Sequence, residues 1–342
     1  MATTEVTPIQ ESELAEVRRF LQSIYKLPPD HPPFRLDALR WKAFDPHPEH
    51  AGSRSYVVRH QGKIVAHGIV SPLRFRGLDG DISAQCLMDW VADPSIPGIG
   101  VVVYQHLASF ADVQIAIGGS DDALKMLPLL AFRPKQQMRS YRLITSAWKY
   151  HLGTGRTDWK MPLRLGRDWA RSRNLRMNGS SSGLEVKSID QFEEGGLIPL
   201  PDPRIAGCMV SARTAASLNH VLRCPVAGME AYSVTRSSEM LGYFILARVR
   251  GTCRIAELWI SSESAQDWLG AIELATETAA SHPDTGAVFT TVSTAVLQSA
   301  LEKTGYQFVG EVPVFLKDRK RRVPQEQPIL LSMLENDDFY LA

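Results

Sequence analysis

Residues 86–110 read CLMDWVADPSIPGIGVVVYQHLASF, and this run decides the fold. Residues 86–91 form an apolar strand. Asp93, Pro94, Ser95, Ile96 and Pro97 turn the chain into Gly98-Ile99-Gly100, and a helix follows. Ile99, Val102, Val103, Leu107 and Phe110 recur at helical spacing and predict one buried face. Two glycines at a strand-to-helix turn let the backbone approach a ligand closely. The first N–H groups of a helix are unpaired, and the helix dipole adds positive potential there. The run fits a phosphate-binding turn, or a tight turn that holds nothing. No Lys-Ser/Thr follows the glycines, so it is not a nucleotide P-loop, and the third glycine of a dinucleotide fingerprint is missing.

Upstream of the run, residues 6–9 suit a first strand. Leu14, Val17, Leu21, Ile24 and Tyr25 give a helical stripe, and Leu36, Leu39 and Phe44 a second helix that ends before Pro46. Residues 55–59 and 64–75 predict a hairpin around Gln61-Gly62-Lys63. Downstream, residues 113–117 alternate as a strand. Ser120 caps a helix in which Pro128 predicts a kink or early stop, and a last strand follows near residues 138–144. The central strand, its helix and the next strand form one parallel crossover in an otherwise antiparallel sheet.

The chain has 342 residues, enough for two domains, and a net charge of +1 that points away from a nucleic-acid partner. The polar, acidic N-terminus is not a signal peptide, and no apolar run is long enough to insert across a bilayer. Four scattered cysteines without CxxC spacing place the chain in a reducing cytoplasm. Asp45, His47, Glu49 and His50 cluster between prolines, but their spacing fits no standard zinc set, so no metal is expected. The segment RLGRDWARSRNLR is read as a solvated helix docked through Trp169 and Leu175, with an acidic partner as the other reading. NGSSSG after it is read as a flexible linker.

From Leu184 the same grammar returns. Residues 39–46 have a counterpart in 218–225, Tyr56-Val57-Val58-Arg59 in residues 232–236, and Met88-Asp89-Trp90-Val91 in Ala256-Glu257-Leu258-Trp259. The fold class is α/β with mixed sheets, as two copies of one fold: residues 1–150, a basic and Gly/Ser linker at 151–183, and residues 184–342. The second copy lacks the glycine pair. Ser264 with Asp267 reads as a helix cap that would put a carboxylate where a phosphate would sit.

The first copy resembles the GNAT (acyl-CoA N-acyltransferase) superfamily in residues 91–101, in Gly118-Gly119-Ser120 before a helix, and in Leu130-Ala131-Phe132-Arg133-Pro134. The second copy resembles a degenerate form of it. The tandem resembles two-domain GNAT proteins and, more distantly, the aminoacyl-transferring proteins of cell-wall synthesis. The resemblance implies that backbone N–H groups of Gly98, Ile99, Gly100 and Val101 hold the diphosphate of acyl-CoA, acetyl-CoA being expected, with Ser120 beside it. It implies that Trp90, Val91 and Ala92 pair with the pantetheine arm. The family's Arg or Gln three residues before the glycines is Ser95 here, and its tyrosine acid is replaced by Leu127 and, in the second copy, Ala300.

Acyl transfer to an amine needs a base and an acid. Asp89, in an otherwise apolar strand, reads as the base or as a hydrogen-bonded structural carboxylate, and Glu257 as a structural counterpart. Tyr141 or Tyr104 would stand in for the acid, or be packing residues. His67 lines the substrate cleft or is a satisfied core polar group. The function expected is N-acyl transfer to a small-molecule amine by the first copy. The alternative is a non-catalytic module that binds a metabolite or protein. An aminoacyl-tRNA-using transferase is disfavoured by the balanced charge.

Overall fold

The computed structural model describes residues 5–28, 31–153, 159–173, 183–336 and 339–340. In the first half β1 (Val6–Pro8) precedes α1 (Leu14–Tyr25) and α2 (Leu36–Phe44). Then come β2 (Ser55–His60), β3 (Lys63–Gly77), β4 (Gly80–Ala92), α3 (Ile99–Leu107), β5 (Val113–Ile117), α4 (Asp121–Leu129) and β6 (Arg133–Ile144). A helical pair, α5 (Ala147–Gly153) and α6 (Met161–Arg173), leads to the second half. That half has β7 (Leu184–Ile189), α7 (Pro203–Ala206), β8 (Met209–Ser211), α8 (Ala215–Leu222), β9 (Gly228–Arg236), β10 (Glu239–Val249) and β11 (Thr252–Ile260). It continues with α9 (Ala265–Ser281), β12 (Ala287–Val292), α10 (Ala295–Lys303), β13 (Gln307–Asp318) and β14 (Ile329–Leu330).

Local sequence accounts for most of these elements. In α1 the stripe of Leu14, Val17 and Leu21 is buried, and Lys26 closes the helix in the left-handed conformation. In α3 the buried face is Ile99, Val103, Tyr104 and Leu107. Phe110 lies past the helix end and is 39 % exposed, because the helix stops at Leu107. Ser120 Oγ accepts the Ala123 N–H at 3.3 Å, and α4 ends one residue after Pro128. The four cysteines are free and buried.

The strands form one sheet, ordered β1-β2-β3-β4-β5-β13-β6-β12-β11-β10-β9-β7, with β8 and β14 joined off β3. Each half contains its parallel pair, β4 with β5 and β11 with β12. The last strands are exchanged: β13 lies beside β5, and β6 lies between β13 and β12. Sequence reading closes each half with its own last strand. The exchange welds the halves into a single sheet, since β6 spends both edges on strands of the second half.

The largest core cluster belongs to the second half but takes in Trp41 and Tyr141 from the first, with Phe339 and Tyr340 from the C-terminal segment. Trp41 stacks on His220 with ring centroids 5.0 Å apart, and its indole N–H donates to the His220 carbonyl at 3.0 Å. These two residues correspond in the repeat, so α2 and α8 meet through equivalent positions. Trp169, expected to dock on a domain, is 55 % exposed on α6. Leu175 and all of the NGSSSG stretch but Gly183 lie outside the described residues.

Candidate functional site

The pairing of β4 with β5 covers only Ala84–Val113, Gln85–Gln114 and Cys86–Ile115. Beyond Cys86 the strands part, and among the described residues no strand neighbours the β5-facing edge of residues 87–92. At the end of that edge the chain turns through Asp93, whose carboxylate accepts both the N–H and the hydroxyl of Ser95. Those bonds hold its pKa below the usual range. Gly98 then caps α3 with φ +81°, a conformation that favours glycine, and it is exposed. A Cβ on Gly100 would lie 3.1 Å from that of Ala92, so the helix start sits hard against the end of β4. Trp90 fixes this contact by donating its indole N–H to the Gly100 carbonyl at 2.9 Å.

Four N–H donors are expected at this turn, and the structure leaves two. Val101 donates to the Gly98 carbonyl at 3.0 Å and Ile99 to that of Ile96 at 3.4 Å, a tightened first turn. Among the described residues no acceptor meets the N–H of Gly98 or Gly100. Beneath them Trp90, Tyr104, Leu127 and Phe132 pack together. The Tyr104 hydroxyl accepts from Lys317 Nζ of β13 at 2.7 Å, and burial pushes its pKa up to about 12.

The second half has the same parting, since β11 and β12 pair only over Thr252–Ala287, Cys253–Val288 and Arg254–Phe289. Here the gap is closed by the chain itself. Leu330, Leu331 and Ser332 line it together with Trp259 and Val292, and Leu331 exchanges two backbone hydrogen bonds with the Ser293 hydroxyl at 2.8 and 3.1 Å. The segment is held by Arg213, which is buried and ion-paired to Glu257 at 2.6 Å and to Glu335. The cap expected of Ser264 does not form. Its side chain makes no capping bond, and Asp267 turns to Arg236 and to the Ser262 hydroxyl instead. The second cleft is blocked by C-terminal backbone rather than by a capping carboxylate.

On the face of the sheet opposite α3, Asp89 sits in a β-bulge with φ +47°. Its carboxylate is 2.9 Å from Lys42 Nζ, with side-chain exposures of 8 and 0 %. His67 secures the bulge. It is fully buried, with Nδ1 3.0 Å from the Asp89 carbonyl and Nε2 2.8 Å from Ser55 Oγ. Burial drives its pKa down to about 4, so the ring is neutral: Nδ1–H donates to the carbonyl and the Ser55 hydroxyl donates to Nε2. Lys42 also lies 5.3 Å from the Tyr340 ring centroid. It forms the inner wall of an open pocket between α2, α8, β3 and the C-terminal residues. Met88, Trp41, Arg74, His220 and Phe339 line it as well.

No protein-family model and no curated protein matches this sequence. Solved structures do. Saccharomyces cerevisiae N-myristoyltransferase with bound myristoyl-CoA matches with a TM-score of 0.59 at 11 % identity, over 93 % of this chain and 83 % of its own. A GCN5-related N-acetyltransferase from Anabaena variabilis matches at 0.57 and 9 % identity, over 92 % of this chain and 72 % of its own. An acetyltransferase assigned in Pyrococcus horikoshii matches at 0.54 and 8 % identity, over 96 and 94 %. The fold is a tandem GNAT fold.

Within this tandem GNAT fold the residues singled out from sequence separate into groups. Trp90, Val91, Ala92, Gly98 and Gly100 come together along the open edge of β4. Ile99 and Val101 are there too, but their N–H groups are spent. Ser120 is the cap of α4, with its hydroxyl occupied. Tyr141 is not near Asp89. It lies three strands away, about 14 Å at ordinary strand spacing, and its hydroxyl donates to Glu302 of α10 at 2.9 Å. His67 lines no cleft, because both ring nitrogens are taken within the core. Sequence reading missed Lys42, whose place beside Ala38 and Leu39 on the apolar face of α2 was the available signal.

Removing Lys42 strands a buried carboxylate. Lys42→Met is expected to cost about 3–5 kcal/mol, and adding Asp89→Asn to recover most of it. Urea midpoints of the two variants and wild type check this, and equal losses in both variants would contradict it.

Proposed function

We propose that the protein is an acyl-CoA-dependent N-acyltransferase that binds its cofactor in the first half. The observation that carries this is the parting of β4 from β5, which offers one unpaired strand edge ending at an exposed, glycine-capped helix start. A pantetheine arm has amide groups to pair with such an edge. Diphosphate oxygens suit the N–H groups of Gly98 and Gly100, and the α3 dipole adds to their attraction. The fold neighbours, acyltransferases by name, support this reading. The blocked second cleft leaves one cofactor site per chain.

The acceptor is a small-molecule amine that enters from the opposite face, through the pocket walled by Lys42, Met88 and Tyr340. Asp89 lies behind that wall on the strand that carries the cofactor edge. Its carboxylate is held by Lys42, so the pair fixes the wall against which the amine is positioned. Acetyl is the acyl group we favour. Acyl-CoA supplies the activated thioester, and the chain supplies position, exclusion of water and charge.

The N-cap is the place to test this. Gly98→Asp puts a carboxylate where the diphosphate would sit, while aspartate tolerates positive φ better than most residues. Acyl-CoA affinity should fall at least about tenfold with little change in melting temperature, as read by calorimetry and thermal shift with acetyl-CoA and longer thioesters. Unchanged affinity would overturn the cofactor assignment.

The Lys42–Asp89 ion pair favours a second reading, in which acyl-CoA is bound without transfer. Release of free thiol from acetyl-CoA across a panel of amines separates the two, since a binding module releases none.

A further inference from the structure

α6 carries its apolar face outward. At helical spacing Met161, Arg164, Leu165 and Asp168 share the inner side, where Leu165 packs beside Ile144, Ala147 and Ala287. Asp168 is buried there, with His151 Nε2 at 3.1 Å and Arg167 Nε at 2.7 Å. The outer side presents Pro162, Leu163, Gly166, Trp169 and Ala170, all exposed. Leu163 is 71 % exposed and Trp169 55 %, and next to them are Trp159 at 80 % and Trp148 of α5 at 61 %. An ordinary surface helix turns such residues toward the core.

The charge around this patch is one-sided. Residues 159–173 contain Lys160, Arg164, Arg167, Arg171 and Arg173 against the single acid Asp168, in a chain with 38 basic and 37 acidic residues overall. That acid faces inward and is ion-paired, so the described side chains of this stretch show Lys160 and Arg167 to solvent and no acid. Lys160 lies 5.2 Å from the Trp159 ring centroid, over an indole that is itself exposed.

We propose that α6, with Trp148 and Trp159, docks the protein on the surface of an anionic phospholipid bilayer. Indoles prefer the interfacial region, where the ring is shielded and its N–H stays wet. Leu163 enters the acyl boundary, and the Lys160 and Arg167 side chains reach up to the phosphates while their stems stay apolar. A nucleic-acid or acidic protein partner would use the cations but would leave Leu163 and the Gly166–Ala170 stripe without a role. The surface lies on the helical excursion between the halves, away from the cofactor edge, so it stands whether or not the acyltransferase reading holds.

The test is co-sedimentation of the full chain with phosphatidylcholine vesicles, with and without phosphatidylglycerol, together with tryptophan emission. Binding to the anionic vesicles with a blue shift of emission is expected. Leu163→Ser/Trp169→Ser should weaken binding by about tenfold or more, and Lys160→Glu by about fivefold. Leu163 and Lys160 are exposed and Trp169 is more than half so, and melting temperatures should stay within about 2–4 °C of wild type, which guards against unfolding as the cause. No binding to anionic vesicles overturns the proposal. So does binding that the serine variant leaves intact, or retention by RNA or heparin without any by vesicles.

Discussion

Acidification from about pH 7.5 to about pH 5 should remove on the order of 4–6 kcal/mol of folding stability, well before the carboxylates titrate. Three histidines cause this. Burial drives His67 to about 4, and burial, with Arg54 and other nearby cations, drives His47 and His220 to about 3. In the unfolded chain each returns to an ordinary value near 6.5. The unfolded state therefore binds protons that the native state refuses, and stability is whole above about pH 6.5 and falls as pH drops toward 4. Each histidine loses about 1.4 kcal/mol per pH unit in that window. The total compares with the 5–15 kcal/mol of a typical domain. His47 and His220 face each other at 5.0 Å where the halves meet, and His67 sits at the Asp89 bulge, so both features loosen together. Urea midpoints across this range are the measurement, and a flat profile down to about pH 5 would contradict the burial of all three.

Arg213→Met should cost about 3–5 kcal/mol of folding stability, as much as Lys42→Met. The guanidinium serves Glu257 through Nε and Nη2, Glu335 through Nη2 and the Ser211 hydroxyl through Nη1, all buried. Without it, two carboxylates with 4 and 0 % exposure face each other unpaired. Their repulsion acts on the segment that closes the second cleft, because Glu335 lies in the short turn Met333–Glu335 that follows Leu331 and Ser332. Loss of stability should come with protease sensitivity near residues 329–335. Arg213→Met/Glu257→Gln/Glu335→Gln should recover most of the loss, since neutral amides can be buried without a counter-ion. A triple variant as unstable as the single one would show that the cost is packing and not charge.

The sequence was informative wherever physics is local. Gly98 and Gly100 between a strand and an apolar helix, Ser120 before α4 and Pro128 near its end each determine a short piece of backbone, and those pieces stand where residue order puts them. The repeat was legible as well, since Trp41 and His220 align in sequence and then stack in space. Periodicity could not show what pairs across long distances. It did not reveal that β6 and β13 change places, because each pairs antiparallel with its neighbours and the alternation along a strand does not say which strand lies at its edge. It also left Asp89 without its partner, since Lys42 is far away in the chain and meets it only when α2 folds onto the sheet.

Local sequence, then, determined the elements, the duplication and the glycine-capped helix start of this protein. Tertiary structure alone decided which cleft stays open. β4 and β11 both part from their neighbours, and only the path of residues 329–335, pinned by a buried arginine, fills one gap and spares the other.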